Sequence, residues 1–130
     1  MKMNKKTSVS GVFAKKSDYE WEGTQYEADI KSGDKVTILN EGETTEGQFG
    51  TQYVFSIKTR NGDKNLTFNQ STINVLHDEF GSDSKDWVGK EVKVLMKKDV
   101  VAGRKVDIVY LVTEGWALDE YGDLTNEVAF

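Results

Sequence analysis

Lys58, Arg60, Lys64, Asn65, Thr67 and Asn69 fall within twelve consecutive residues of the chain. Cations at that density can neutralise successive phosphates, while amides and hydroxyls can hydrogen-bond sugars or base edges. This is the chemistry of holding a polyanion. The elements that must position these groups follow from one dipeptide, Asn61-Gly62, the strongest short hairpin signal in the sequence. With those two residues as the turn, Arg60 faces Asp63, Lys58 faces Asn65, Ile57 faces Leu66 and Phe55 faces Phe68. Alternation then puts Phe55, Ile57, Leu66 and Phe68 on a buried face. The opposite face carries Val54, Ser56, Lys58, Arg60, Asp63, Asn65, Thr67 and Asn69. It is either a surface for an anionic ligand or a solvated one in which Arg60 pairs with Asp63.

Bond-breaking chemistry has little to stand on. His77 is the only histidine and there is no cysteine, so no disulfide framework, zinc-thiolate site or cysteine nucleophile is expected. Gly42, Gly47 and Gly50 are followed by no Gly-Lys-Ser/Thr and do not cradle a phosphate. Asp78-Glu79 reads as a solvated helix surface. We expect no catalytic residues, no metal, no cofactor and no enzyme activity.

With 130 residues, 37% of them hydrophobic, the chain is long enough for one domain with its own core. No apolar run is long enough to span a membrane, and the basic N-terminus lacks the apolar centre of a secretion signal. The expected location is the cytoplasm, that of the host if a virus encodes the protein. The net charge of -5 argues against indiscriminate polyanion binding, but its distribution is uneven. Residues 1–17 hold five lysines and no acid, whereas residues 113–130 hold five acids and no base. Opposite signs at the two ends suggest interaction tails, with solvating termini as the plainer reading.

In residues 1–28, Tyr19, Trp21 and Tyr26 are interleaved with acids, and the segment is expected to pack along the body. Alternation in Asp34–Asn40 gives a first strand, with Val36 and Ile38 pointing one way and Lys35 and Thr37 the other. Residues 41–50, with three glycines and no hydrophobic period, read as a mobile working loop. After the central ribbon, Ser71 is the expected N-cap of a helix over Thr72–Phe80, stopped by Gly81. Trp87 is expected to cap the core beneath it. A fourth strand carries Val92, Val94 and Met96 inward. Ala102 fits a primed turn poorly, so residues 101–104 are expected to form a turn of three to four residues. A fifth strand over Lys105–Val112 is apolar on nearly both faces, and beyond it the pattern fades.

Five strands with one short helix between the third and fourth is the order of an OB-fold, an all-β, five-stranded Greek-key barrel. Such barrels hold single strands on the outer face of strands two and three, between the one-two and four-five loops. The polar ribbon face occupies that place, and Lys97, Lys98, Arg104 and Lys105 cluster at the four-five loop. With Phe55 and Phe68 turned inward, Phe49 and Tyr53 are the leading candidates for stacking on bases, and Trp87 is a third if it does not cap the core. The candidate nucleic-acid contacts are therefore Phe49, Tyr53, Lys58, Arg60, Lys64, Asn65, Thr67, Asn69, Lys97, Arg104 and Lys105.

Several runs also resemble a family: Ile30-Lys31-Ser32-Gly33-Asp34-Lys35-Val36, Tyr53–Lys58, Asn69-Gln70-Ser71-Thr72, Phe80-Gly81 and Trp87-Val88-Gly89-Lys90. Together they are similar to the small OB-fold single-stranded-DNA-binding proteins of phages and archaea, relatives of replication protein A. The resemblance covers residues 29–112, flanked by a basic arm and packing segment (1–28) and an acidic tail (113–130). The tail, ending Glu127-Val128-Ala129-Phe130, resembles the acidic tip of bacterial single-stranded-DNA-binding proteins, although it lacks their proline. These likenesses imply binding of single-stranded DNA, or RNA, with little sequence preference, in replication, recombination or repair. They also imply a tail that holds replication or repair proteins, for which Trp116, Tyr121, Val128 and Phe130 are the candidate anchors. Such a tail can fold onto a basic groove and compete with DNA, or remain an inert solvated polymer. The alternative function is an OB-scaffold protein-interaction module without nucleic-acid binding, which net acidity favours.

Overall fold

The computed structural model describes residues 12–48 and 50–126. In chain order they form β1 (Tyr19–Trp21), β2 (Thr24–Tyr26), β3 (Lys35–Ile38), β4 (Glu43–Gly47), β5 (Gly50–Thr59) and β6 (Gly62–Phe68). The helix α1 (Gln70–Phe80) follows, then a 3-10 turn (Ser84–Trp87), β7 (Glu91–Val101), β8 (Arg104–Val112), β9 (Trp116–Leu118) and β10 (Leu124–Asn126). The class is all-β. The main sheet runs β4-β5-β3-β7-β8, with β6 on the other edge of β5; β1-β2 and β9-β10 are separate two-stranded ribbons.

The core forms because alternate residues of each long strand are apolar. Val36 and Ile38, Phe55 and Ile57, Leu66 and Phe68, and Val92 and Val94 all turn inward and are buried. Phe55 stacks on Phe68 with ring centroids 4.1 Å apart and on Trp87 at 5.6 Å. Trp87 is buried, and its indole N–H donates to the Gly81 carbonyl at 2.9 Å. Gly42 lies hard against this stack. A Cβ built there would stand 2.6 Å from Phe55 Cζ, and the backbone is at φ +87, so a side chain is excluded twice over.

The helix begins two residues earlier than the sequence suggests. Asn69, not Ser71, is the N-cap, its side-chain oxygen accepting from the Thr72 N–H at 2.9 Å. The Asn69 amide also donates to the Val109 carbonyl at 2.8 Å, and the Leu111 N–H donates to the Thr72 hydroxyl at 3.0 Å. These two bonds tether the end of β6 and the start of α1 to β8.

Two turns depart from expectation in opposite directions. In the central ribbon Thr59 pairs with Gly62, so Arg60 and Asn61 form the turn and only Gly62 takes a positive φ. Ile57 therefore faces Lys64 and Phe55 faces Leu66. Each partner moves by two residues, an even number, so both faces keep the membership that alternation assigned. At the β7-β8 turn, Val101 pairs with Arg104 across a two-residue loop in which Ala102 and Gly103 both have positive φ. The long ladders on either side dictate that loop length. Ala102 takes the left-handed conformation at a cost of about 1–2 kcal/mol.

Residues 41–50 are not a loop throughout. Residues 43–47 form β4, which pairs with β5 from Glu43 opposite Val54 to Gly47 opposite Gly50. β3 and β4 thus share one edge of β5, and Asn40 bridges the break between them. Its side-chain oxygen accepts from the Ser56 N–H at 3.0 Å and the Gly42 N–H at 3.1 Å. Along the free edge of β6, Val12 and Ala14 bond both backbone groups of Asn65, each at 2.8 Å. Among the described residues no helix is long and apolar enough to cross a membrane.

Candidate nucleic-acid interface

The outward side of the main sheet collects cations from three strands. Lys58 of β5 lies opposite Thr37 of β3, and Lys35 of β3 lies opposite Lys93 of β7. Lys35, Thr37 and Lys58 line one shallow depression with Asp34, Thr59 and Arg60, of about 450 Å³. Among the described residues neither Lys58 nor Lys93 makes an ion pair, whereas Lys35 reaches the Glu114 carboxylate at 3.8 Å. Two lysines on one rung repel each other, and Glu79, Glu91 and Glu114 line the same depression as both and offset part of that repulsion.

The residues singled out from the sequence divide into three groups. Lys58 and Thr67 are exposed on the outer face. Arg104 and Lys105 are exposed beside the β7-β8 turn, where Lys98 is already paired with Asp107 at 3.0 Å. These are free to meet a ligand. Arg60 is not: its guanidinium binds Asp34 at 2.7 Å and Glu27 at 3.1 Å. The Asp34 hydrogen bond, followed by its charge, raises the Arg60 pKa still further. Asn69 is the helix cap, and Asn65 is buried where residues 12–14 run alongside β6. Lys64 opposes Ile57, on the inward side of the ribbon.

Tyr53 is exposed at the mouth of a cavity of about 430 Å³ lined also by Glu41, Glu43, Phe55, Gln70 and Trp87. Its carboxylates repel phosphate. Lys97 lies under the turn of the β9-β10 ribbon, where a Cβ on Gly122 would stand 3.0 Å from Lys97 Cδ. Trp116 is half-buried in that ribbon and Tyr121 is exposed at its turn. Phe49, Val128 and Phe130 lie outside the described residues.

Lys35, Thr37 and Lys93 were missed from the sequence. Alternation alone puts Lys35 and Thr37 outward of Val36 and Ile38, and Lys93 outward of Val92 and Val94. Their convergence depends on β3 lying between β5 and β7, a non-local pairing that no local pattern encodes.

Among the described residues no cluster of three or more histidine, cysteine or carboxylate side chains could hold a metal ion. The arrangement offers cations and hydroxyls on an open surface. It can bind and orient an extended anion. No protein-family model and no curated protein matches the chain.

Proposed function

We propose that this protein binds single-stranded DNA with little sequence preference, on an OB-fold scaffold, in the cytoplasm, during replication, recombination or repair. The order of β3, β5, β6, α1, β7 and β8 supports the scaffold, because β3 pairs with both β5 and β7 and the helix follows the third of these strands. The bonds from Asn69 and Thr72 to β8 hold the start of α1 against that strand, which is in keeping with such a scaffold. On that reading the β4-β5 and β7-β8 hairpins would serve as the flanking loops.

The observation that carries the reading is the lysine triad Lys35, Lys58 and Lys93 on the outward side of β3, β5 and β7. Phosphates of an extended strand would supply counter-charge to Lys58 and Lys93, which make no ion pair among the described residues, and would compete with Glu114 for Lys35. Bound counterions would be released, so affinity would fall steeply with salt. The deciding measurement is fluorescence anisotropy of a labelled strand of about thirty nucleotides over a salt series, with duplex and RNA competitors. A slope of several units with single strands preferred is the expected result. No binding at about 50 mM salt would discard the reading and leave the protein-interaction module.

A further inference from the structure

The β1-β2 ribbon carries aromatic residues for which the body of the protein has no use. Tyr19 pairs with Tyr26 and Trp21 with Thr24, so these four side chains share one face, while Glu20 and Gln25 share the other. All six residues are exposed, Trp21 at 64%. The Tyr19 and Tyr26 rings stack at 5.1 Å, and the Lys15 ammonium stands 5.7 Å from the centre of the Tyr19 ring. Three of the six exposed aromatic residues among those described, Tyr19, Trp21 and Tyr26, are concentrated on this small ribbon.

A two-stranded ribbon by itself is marginal in water, and this one forms its own sheet. The chain nevertheless fixes it firmly at the base. Asp18 accepts from the Ala28 N–H at 2.8 Å and pairs with Lys31 at 3.6 Å. Glu27 binds both Lys31 and Arg60, and the Asn61 amide reaches the Glu27 carbonyl and the Asp29 carboxylate. These bonds attach the ribbon to the β5-β6 turn, beside the depression lined by Lys35 and Lys58. They also engage Asp18 and Glu27, the acids that flank it. Glu20 lies on the reverse face, bonded to Gln25 at 3.3 Å. Of the six paired residues, those on the aromatic face contribute rings and hydroxyls with Lys15 nearby, and the one acid among the six, Glu20, is on the reverse face.

We propose that Tyr19, Trp21 and Tyr26 form a platform on which unpaired bases of a bound strand stack, with Lys15 meeting the adjoining phosphate. The proposal rests on the single-strand reading above and supplies what the outer face of β3, β5 and β7 lacks. Cations there hold the backbone, and the rings hold the bases. Planar rings suit bases of any identity because every base has a π-face, which matches binding without sequence preference. The flanking acids Asp18 and Glu27 are each paired with a cation, and Glu20 is turned to the reverse face, which lowers the negative charge met by a strand lying across the rings.

The test uses the full chain and two labelled strands of about thirty nucleotides, oligo-dT and an abasic strand of equal length. The wild-type protein is expected to bind oligo-dT about ten-fold or more tightly than the abasic strand. Trp21→Ala and Tyr19→Ala should bind oligo-dT about ten-fold less tightly and the abasic strand unchanged, while Trp21→Phe retains the preference for bases. Lys58→Ala should weaken both strands equally. Circular dichroism confirms that each variant is folded. If Trp21→Ala binds oligo-dT as wild type does, the platform is refuted and the basic face stands. Should the wild-type protein bind neither strand, the single-strand reading itself falls. Self-association that Trp21→Ala abolishes, with strand affinity unchanged, would show a contact between copies and overturn the proposal.

Discussion

Lys35 and Lys93 face each other directly across β3 and β7, two cations on one rung of the ladder. Like charges so placed repel by a few tenths of a kcal/mol up to about 1 kcal/mol. Replacing Lys93 by glutamate removes that repulsion and creates an opposite-charge pair. Lys93→Glu is therefore expected to melt at a higher temperature than wild type and to bind single-stranded DNA more weakly. The salt dependence should flatten by about one unit for the lost phosphate contact. A variant that gains stability with unchanged affinity would remove Lys93 from the interface.

Glu114 holds Lys35 at 3.8 Å, and the ribbon that follows covers Lys97. Both side chains of the Lys35–Glu114 pair are about half or more exposed, so the pair contributes at most about 1 kcal/mol. Glu114→Gln should tighten DNA binding by up to about five-fold at low salt, with little change near 1 M salt. Deleting residues 114–130 should tighten it further. Anisotropy titrations at the two salt levels check both, and unchanged affinity after deletion would show that the acidic segment does not compete.

Asn69 uses both ends of its amide within the protein, accepting from Thr72 and donating to Val109. Asn69→Ala removes the helix cap and the tether to β8 together, an expected loss of about 1–3 kcal/mol in urea denaturation. Strand affinity, measured well below the melting temperature, should stay within about two-fold of wild type. A large affinity loss without destabilisation would give Asn69 a base-contacting role instead.

Asp18 is held below its ordinary carboxylate value of 3.8, first by the hydrogen bond from the Ala28 N–H and then by Lys31. A depressed pKa means that the folded state binds the proton less readily than the unfolded chain. The contribution of Asp18 is therefore complete above pH 3.8 and is lost as pH falls through the folded value. Asp18→Asn keeps an oxygen that can accept from Ala28 but discards the charge. Chemical denaturation should show the variant less stable than wild type at pH 7, with the gap closing on acidification below about pH 4. A constant gap across that range would mean that the charge contributes nothing.

What the sequence reveals is set by how local each determinant is. The inner face of the central ribbon, Phe55, Ile57, Leu66 and Phe68, is readable from alternation alone and survives a misplaced turn because the error is even. The helix and its glycine stop are equally local. β4 leaves no trace because Glu43-Thr44-Thr45-Glu46 is largely exposed and has no apolar side to betray it. The β1-β2 ribbon hides for a related reason: its aromatic side faces water, so alternation of Tyr19 and Trp21 with Glu20 does not point to a core. Glu22-Gly23, both at positive φ, is the one local clue to its turn. Lys35 meeting Lys93, and Arg60 meeting Asp34, depend on which strands become neighbours. That information resides in the whole chain.

The contact between Gly42 and the Phe55 ring links two positions that are distant in the alignment of any relatives. A relative with a methyl or larger group at the first position must carry something smaller than phenylalanine at the second, or bend the chain away between β3 and β4. Across an evolutionary family the two sites should therefore vary as a pair, and a set of homologues in which they drift independently would indicate a different path for that bend.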